Sequence, residues 1–472
     1  MRNSILRGGL VGLSLFPLVA SATIRFDYEA DPVPLVQIQV VVPTGFEVRD
    51  AKDAGIANLF ADILDSGSRS LDRQAFLDRL SMSGASASFT VSNQYSYWTL
   101  NFPFEKNRSY GELGATLAEQ WASPRFTEES FGLAKLKLES ALKSGLDSDG
   151  SLGLTTIRRL MNKRYFSGTP LTLDVLRGLK LSSLPAVWDR DYVNARDVFA
   201  AVVAPAEAEP AVRALLSAVF AKQGAIEVKR EPSRLEAREN SAKGHKAEKT
   251  FVIVDKPGRA QSYLSVVGVP NERLDADDEI AFQFGNHVLI DSGLGSVFGD
   301  EIRNQRGLAY AVQSAPRFYL GYPGLGVITN PVREKSAVAL DLVAKLLNDA
   351  YVSGEILRQL PPDIWARQWK SFVYGRALDT STPAGRQAER VAVATGTMGL
   401  KAYRAQLDGD RPIGRDEVIE SLRRVWRKGA IVATVVGEAK ELEPMVRKAF
   451  PDFGVRVIPY RETLNAKTYE TP

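Results

Sequence analysis

The chain contains no cysteine and only two histidines, His245 and His287. Without cysteine there is no disulfide framework, no thiolate metal site and no lipid attachment through an N-terminal cysteine. Two widely separated histidines leave an autonomous zinc site short of its usual donors. Apolar runs are also short, none reaching the roughly 18 residues that a membrane-spanning helix needs. Neither sign of charge dominates, since 60 Lys+Arg against 56 Asp+Glu leave +4. The charges are interspersed, with no long basic block, so a pI near 9.0 does not point to nucleic acid. No P-loop, Rossmann fingerprint or Ser-His-Asp arrangement is visible. Gly293-Leu294-Gly295 is too short for a phosphate loop. Asp147, Asp149 and Gly150 begin like a calcium loop, but the later ligands of an EF-hand are missing. His287 sits in the apolar stretch IAFQFGNHVLIDSG, where a hydrogen-bonded core or surface histidine is expected rather than a metal ligand.

What is present begins with an export signal. Arg2 and Arg7 precede an apolar run from Leu10 to Val19, and Ala20-Ser21-Ala22 supplies small residues for cleavage after Ala22. The sequence therefore predicts a signal peptide over 1–22 and a periplasmic protein of about 450 residues, enough for two large cores. Lys229 to Lys249, KREPSRLEARENSAKGHKAEK, is charged and nearly free of bulky apolar residues, as expected of a linker. It separates an N-terminal half, 23–228, from a C-terminal half, 250–472.

The halves echo each other in three segments that keep their order. LDSGS at Leu64 matches IDSGLGS at Ile290. DRQAFLDRLSMSG followed by ASASFTV matches VFGDEIRNQRG followed by LAYAV, each read as helix, glycine stop (Gly84, Gly307) and strand. FAAVVAPAEAEPAVRALLSAVF matches IVATVVGEAKELEPMVRKAF, each read as buried strand, acidic turn and amphipathic helix. Hairpin-type strands such as ASASFTVSNQYSYWTLNFPF, with a turn at Asn93-Gln94, favour an α+β fold of two similar α/β sandwiches with mostly antiparallel sheets.

GIANLFADILDSGS, Gly55–Ser68, has apolar residues Ile56, Leu59, Phe60, Ile63 and Leu64 at helical spacing. In length, apolar pattern and terminal loop it resembles the H-x-x-E-H helix of the pitrilysin/insulinase (inverzincin) zinc metallopeptidases. The three functional positions fall on Asn58, Ala61 and Asp62, where the family carries a zinc-binding histidine, the general-base glutamate and a second zinc-binding histidine. The family's third ligand, a glutamate on a later helix, aligns in FGLAKLKLESALKSG with Ala141; Glu139 is the nearest acid. This donor set cannot hold zinc or activate water. EIRNQRGLAYAV, by contrast, is similar to the family's C-terminal L-R-x-x-x-G-L-A-Y segment, with Arg303 and Tyr310 at the matching spacing. VDKPGRAQSYLSVVGVP, including Gln261, resembles the strand that opens the family's second half. DSGLGSVF resembles its Gly-Ser loop, with Val297 where an arginine is common.

The resemblance implies the LuxS/MPP-like metallopeptidase fold and a clamshell around a peptide. Family members of the two-chain kind divide the work: one chain keeps the zinc motif and the other keeps the arginine–tyrosine pair, which donates hydrogen bonds near the scissile carbonyl. On this basis the chain is expected to lack autonomous activity and any cofactor of its own. It is expected to form a heterodimer with a zinc-motif homologue that holds the zinc, and to supply Arg303 and Tyr310 in trans as substrate-binding residues. Unfolded peptides would dock by adding a strand to a sheet edge. The alternative is an inactive scaffold or peptide-binding protein of the same fold, as in the respiratory-complex core subunits that resemble this family.

Overall fold

A computed structural model describes residues 24–45, 53, 55–92, 94–165, 171–195, 197–223, 226–229, 248–271, 274, 276–315, 324–395 and 412–469. The expected leader, His245 and residues 230–247 of the charged stretch lie outside the described residues. Twelve strands are described: β1 (Ile24–Ala30), β2 (Leu35–Val42), β3 (Ser86–Val91), β4 (Ser96–Pro103), β5 (Phe199–Ala204) and β6 (Ile226–Lys229), then β7 (Glu248–Asp255), β8 (Tyr263–Val269), β9 (Val312–Ser314), β10 (Leu325–Thr329), β11 (Ala430–Gly437) and β12 (Gly454–Pro459).

The first six form a sheet in the order β3-β4-β2-β5-β1-β6, and the second six a sheet in the order β9-β10-β8-β11-β7-β12. Subtracting six from each member of the second order returns the first, so the topology is duplicated along the chain. In the first sheet β1 runs parallel to β5 and β6 and the other pairings are antiparallel. In the second, β7 runs parallel to β11 and β12 and the rest are antiparallel. The expected α+β architecture of two similar sandwiches with mostly antiparallel sheets holds. The β3–β4 hairpin is closed by Ser92 and Tyr95, whose backbones bond at 2.8 Å; Asn93 of its turn lies outside the described residues.

Two readings of local structure need correction. LAYAV is not a strand from its first residue: β9 starts only at Val312, and Tyr310 precedes it. The segment 254–270 is not one strand but the end of β7, a connection and β8, which β11 separates in the sheet. Gln261 forms an isolated bridge with Val332 just before β8. The cause is the run Pro257-Gly258, with Gly258 at φ 77°, which turns the chain out of β7.

Strand periodicity sorts the side chains into two faces. On β1, Ile24, Phe26 and Tyr28 join the core made with the first half's own helices, as do Val36, Ile38 and Val40 of β2. The equivalent face of the second sheet, with Phe251, Ile253, Leu264 and Val266, packs against the second half's helices.

The opposite faces are covered by exchange. Helix Asp149–Tyr165, which precedes β5 in the chain, lies on β8 and β11 of the second sheet, placing Leu152, Ile157 and Met161 against Val252, Val267 and Val432. Helix Pro383–Ala394, from the second half, lies on β2 and β5 of the first sheet, with Val391 and Ala394 against Val41, Phe199 and Ala201. Strands covered on both faces read as continuous apolar runs, which accounts for the fully buried β5 and β11. Close approach fixes the first of these straps: a Cβ on Gly153 would lie 2.8 Å from the Tyr263 ring.

Candidate functional site

The helix Ile56–Ile63 starts at Gly55, which has φ 83°, and its continuation ends at Gly67, φ 97°. Ile56, Leu59, Phe60, Ile63 and Leu64 are buried, the face expected from the sequence. Phe60 lies 5.1 Å from the Trp188 ring, 5.4 Å from Tyr192 and 5.9 Å from Phe126, centroid to centroid. The Tyr192 hydroxyl lies 3.0 Å from Ser96 Oγ, and full burial raises its pKa. An aromatic floor thus holds this helix in place.

Asn58, Ala61 and Asp62 occupy the other, half-buried side of the helix. Asp62 is ion-paired with Lys137 of helix Glu128–Ser144, which packs alongside, and this contact raises the Lys137 pKa. Asn58 Oδ1 is buried without a hydrogen-bond partner. Glu139 turns to Lys143 (2.8 Å) and Arg177 (2.9 Å), which lower its pKa, and Ala141 offers no donor. A zinc ion does not fit these residues: Ala61 has no ligand atom and a lysine ammonium neutralises the single carboxylate on the helix. Among the described residues no group of three or more His, Cys, Asp or Glu could hold a metal ion. Lys137 escaped the sequence reading because nothing in its local pattern marks which way a helical lysine reaches.

In the second half, an α-helical turn Val297–Gly299 runs into a π-helical turn Asp300–Gln305. Ser296 caps it by accepting from Gly299 N at 3.2 Å. Gly307, at φ 56°, reverses the chain, and Lys335 Nζ donates to its carbonyl at 2.9 Å. Leu308 and Ala309 then turn into the core, while Tyr310 projects outward and is 88% exposed. Thr329 Oγ1 donates to Ala311 O at 2.9 Å and ties the next residue to β10.

Arg303 lies half-buried on this turn. Its Nε donates to Asn304 Oδ1 at 3.2 Å, while Nη2 is buried without a hydrogen-bond partner. Its neighbours Glu301 and Arg306 pair with each other at 3.2 Å. No hydrogen bond joins Arg303 to Tyr310. The arrangement offers one guanidinium face with unspent donors and one free-standing phenol on a turn anchored at both ends.

The remaining candidates resolve as structural groups. Asp149 pairs with Lys256 and Arg259, each at 2.8 Å, so it clamps the strap helix rather than a calcium ion. His287 begins a π-helical turn beside Phe284 and Phe372; burial, and secondarily Arg376, lower its pKa, and its Nε2 is buried without a hydrogen-bond partner. Gly293–Gly295 is a 3₁₀ turn. No helix of the described residues is long and apolar enough to cross a membrane.

The sequence profile described as the Peptidase M16 inactive domain matches residues 191–354. The chain is 24% identical over 334 residues to the "Non-peptidase homolog YmxG" of Helicobacter pylori, covering 67% of this chain and 71% of that protein. Among solved structures, a peptidase M16 inactive domain from Pseudomonas fluorescens superposes with TM-score 0.67 at 17% identity, covering 89% of this chain and 96% of the other. A protease from Helicobacter pylori gives 0.67 at 12%, covering 87% and 96%. The periplasmic protease PqqL from Escherichia coli gives 0.61 at 12% identity, covering 87% of this chain and 43% of the other. At such identities these likenesses establish the fold.

Proposed function

Taking the chain as a non-catalytic protein of the M16 peptidase fold, we propose that it is one subunit of a periplasmic heterodimeric zinc peptidase. Its partner is a homologous chain that carries the zinc motif. In this reading the halves 23–228 and 250–472 form one wall of a peptide chamber. Arg303 and Tyr310 reach across it to hold the substrate backbone and to stabilise negative charge developing on the carbonyl oxygen. The observation that carries the reading is the state of that pair: Arg303 has an unpartnered Nη2, and Tyr310 stands 88% exposed. The fold makes no use of the Tyr310 phenol, and Arg303 spends only its Nε, on neighbouring Asn304; both keep hydrogen-bond donors. The export signal expected over 1–22 supports the compartment, and the lack of donors at Asn58, Ala61 and Asp62 supports a zinc and a general base held by the partner.

The test is cleavage of a flexible peptide by this chain, by a zinc-motif homologue, and by their mixture. Activity is expected in the mixture, with a fall of about tenfold or more in kcat/KM for Arg303→Ala and Tyr310→Phe and no loss of assembly. Chelator-sensitive cleavage by this chain alone would overturn the assignment. Unchanged activity in both variants would reject the role given to the pair.

A further inference from the structure

The exchanged helices do more than fill space. Helix Asp149–Tyr165 is tied to the second half at both ends. At its start Asp149 meets Lys256 and Arg259, and Lys256 Nζ also donates to Leu146 O at 2.6 Å. Further along, Arg159 donates to Thr463 O and lies 5.4 Å from the Tyr469 ring centroid. Between these anchors Leu152, Ile157 and Met161 are buried on the second sheet.

Helix Pro383–Ala394 answers this from the other side. Arg386 and Arg390, one turn apart, face Asp27 and Glu29, on one face of β1, and Asp31 just past its end. Arg390 pairs with Asp27 and, at 2.6 Å, with Glu29. Arg386 pairs with Glu29 at 2.9 Å and with Asp31. Gln387 Nε2 donates to Ala201 O at 3.2 Å, filling the backbone space between the ionic and apolar contacts.

We infer that these two straps are a complete recognition surface: each half holds the other without the covalent connection, and the chain is a two-piece assembly whose pieces happen to be linked. Among the described residues, the helix that covers the outer face of each sheet is therefore the strap of the opposite half. Each strap combines a buried apolar stripe with at least one largely buried ion pair, Lys256–Asp149 on one and Arg390–Asp27 on the other. Such a surface has the composition of an obligate interface rather than of a transient domain contact. The connection then contributes effective concentration, not structure.

The experiment uses the full-length exported protein with a recognition sequence for a site-specific protease inserted between Ser241 and Lys243. After complete cutting, native size-exclusion chromatography at about 1 μM protein, a concentration that separates weak complexes from tight ones, is expected to give one peak at the volume of the uncut protein. Two peaks at about half the mass in the same buffer would overturn the inference. A second protein carries the same insertion with Arg386→Met and Arg390→Met. Its cut form is expected to separate at a lower urea concentration than the cut parent, while its uncut form stays a single peak. Separation at the same urea concentration as the cut parent would overturn the part assigned to the arginines.

Discussion

Replacing Arg390 by methionine probes the strap network at its most buried point. Asp27 is 1% exposed, and its Oδ2 is buried without a hydrogen-bond partner, so Arg390 is its main counter-charge. Glu29 keeps Arg386 after the substitution. Removing one partner of a buried ion pair leaves an uncompensated charge and costs about 3–5 kcal/mol. That cost has an escape route, because burial has already pushed the Asp27 carboxyl up from 3.8 to about 6, against the pull of Arg390.

The sign follows from proton counting. Between the two values the folded protein holds a proton that the unfolded chain has released. The stability tied to this group is therefore complete below about 3.8 and is lost as pH rises through about 6, a swing on the order of 3 kcal/mol. In Arg390→Met the carboxyl has less reason to ionise and takes its proton at still higher pH. The loss is expected at up to about 3 kcal/mol at pH 8, the cost of taking up that proton two pH units above about 6, and at about 1 kcal/mol or less at pH 5, where the parent carboxyl already holds its proton, measured as the difference from the parent at each pH by urea unfolding. Asp27→Asn in the Arg390→Met background should recover most of the loss at pH 8 and flatten the dependence between pH 5 and pH 8. A loss below about 1 kcal/mol at both pH values, or no recovery in the double variant, would refute the account of Asp27 as a buried charge held by Arg390.

Three further outcomes test the site. Phe60→Ala removes a fully buried ring from the aromatic floor and should cost about 3–5 kcal/mol in urea unfolding; a cost under about 1 kcal/mol would mean that Trp188 and Tyr192 hold the helix without it. Lys137→Ala breaks a pair whose lysine is largely exposed, so stability should change by no more than about 1 kcal/mol. Excess chelator should leave the melting temperature of the isolated chain unchanged, since Asn58, Ala61 and Asp62 supply no closed ligand set; a drop of several degrees would reveal a structural metal that this donor inventory fails to explain.

The parts of the fold that were legible in sequence are those in which one pattern repeats. The helix at Ile56–Ile63, the buried β5 and β11 and the β3–β4 hairpin each carry a local signal, and their echo in the other half reinforces it. The straps were not legible. Asp149–Tyr165 reads as one more helix of its own half, and no periodicity records which sheet a helix will cover. Their charges did leave a trace: Asp27 and Glu29 of a strand whose other face is apolar, with Asp31 just beyond it, recur at every second residue, and Arg386 and Arg390 recur one helical turn apart. Matching two such rows across 355 positions, from Asp31 to Arg386, requires the fold. The beginning of the strand after Gly307 was misplaced for a related reason. Alternation in LAYAV suits a strand, but the tight turn consumes Leu308 and Ala309 in burial and leaves Tyr310 outside.

The geometry also accounts for how a helix that resembles the metallopeptidase zinc helix can fold without its chemistry. Its two faces answer to different demands. Ile56, Leu59, Phe60 and Ile63 are held by the core, where a lost methylene group is felt as a cavity. Asn58, Ala61 and Asp62 lie on the other side, where side chains can change at little cost to folding, and an ion pair from Lys137 now occupies the position beside Asp62. Tyr310 is the reverse case. An 88% exposed aromatic ring contributes almost nothing to burial, and the turn that presents it is built from Gly307, Lys335 and Thr329 without help from the phenol. A scaffold that needed only the fold would have no use for that side chain in that place. The fold therefore leaves Tyr310 outside what stability requires, which is the ground on which Arg303 and Tyr310 are proposed as binding residues.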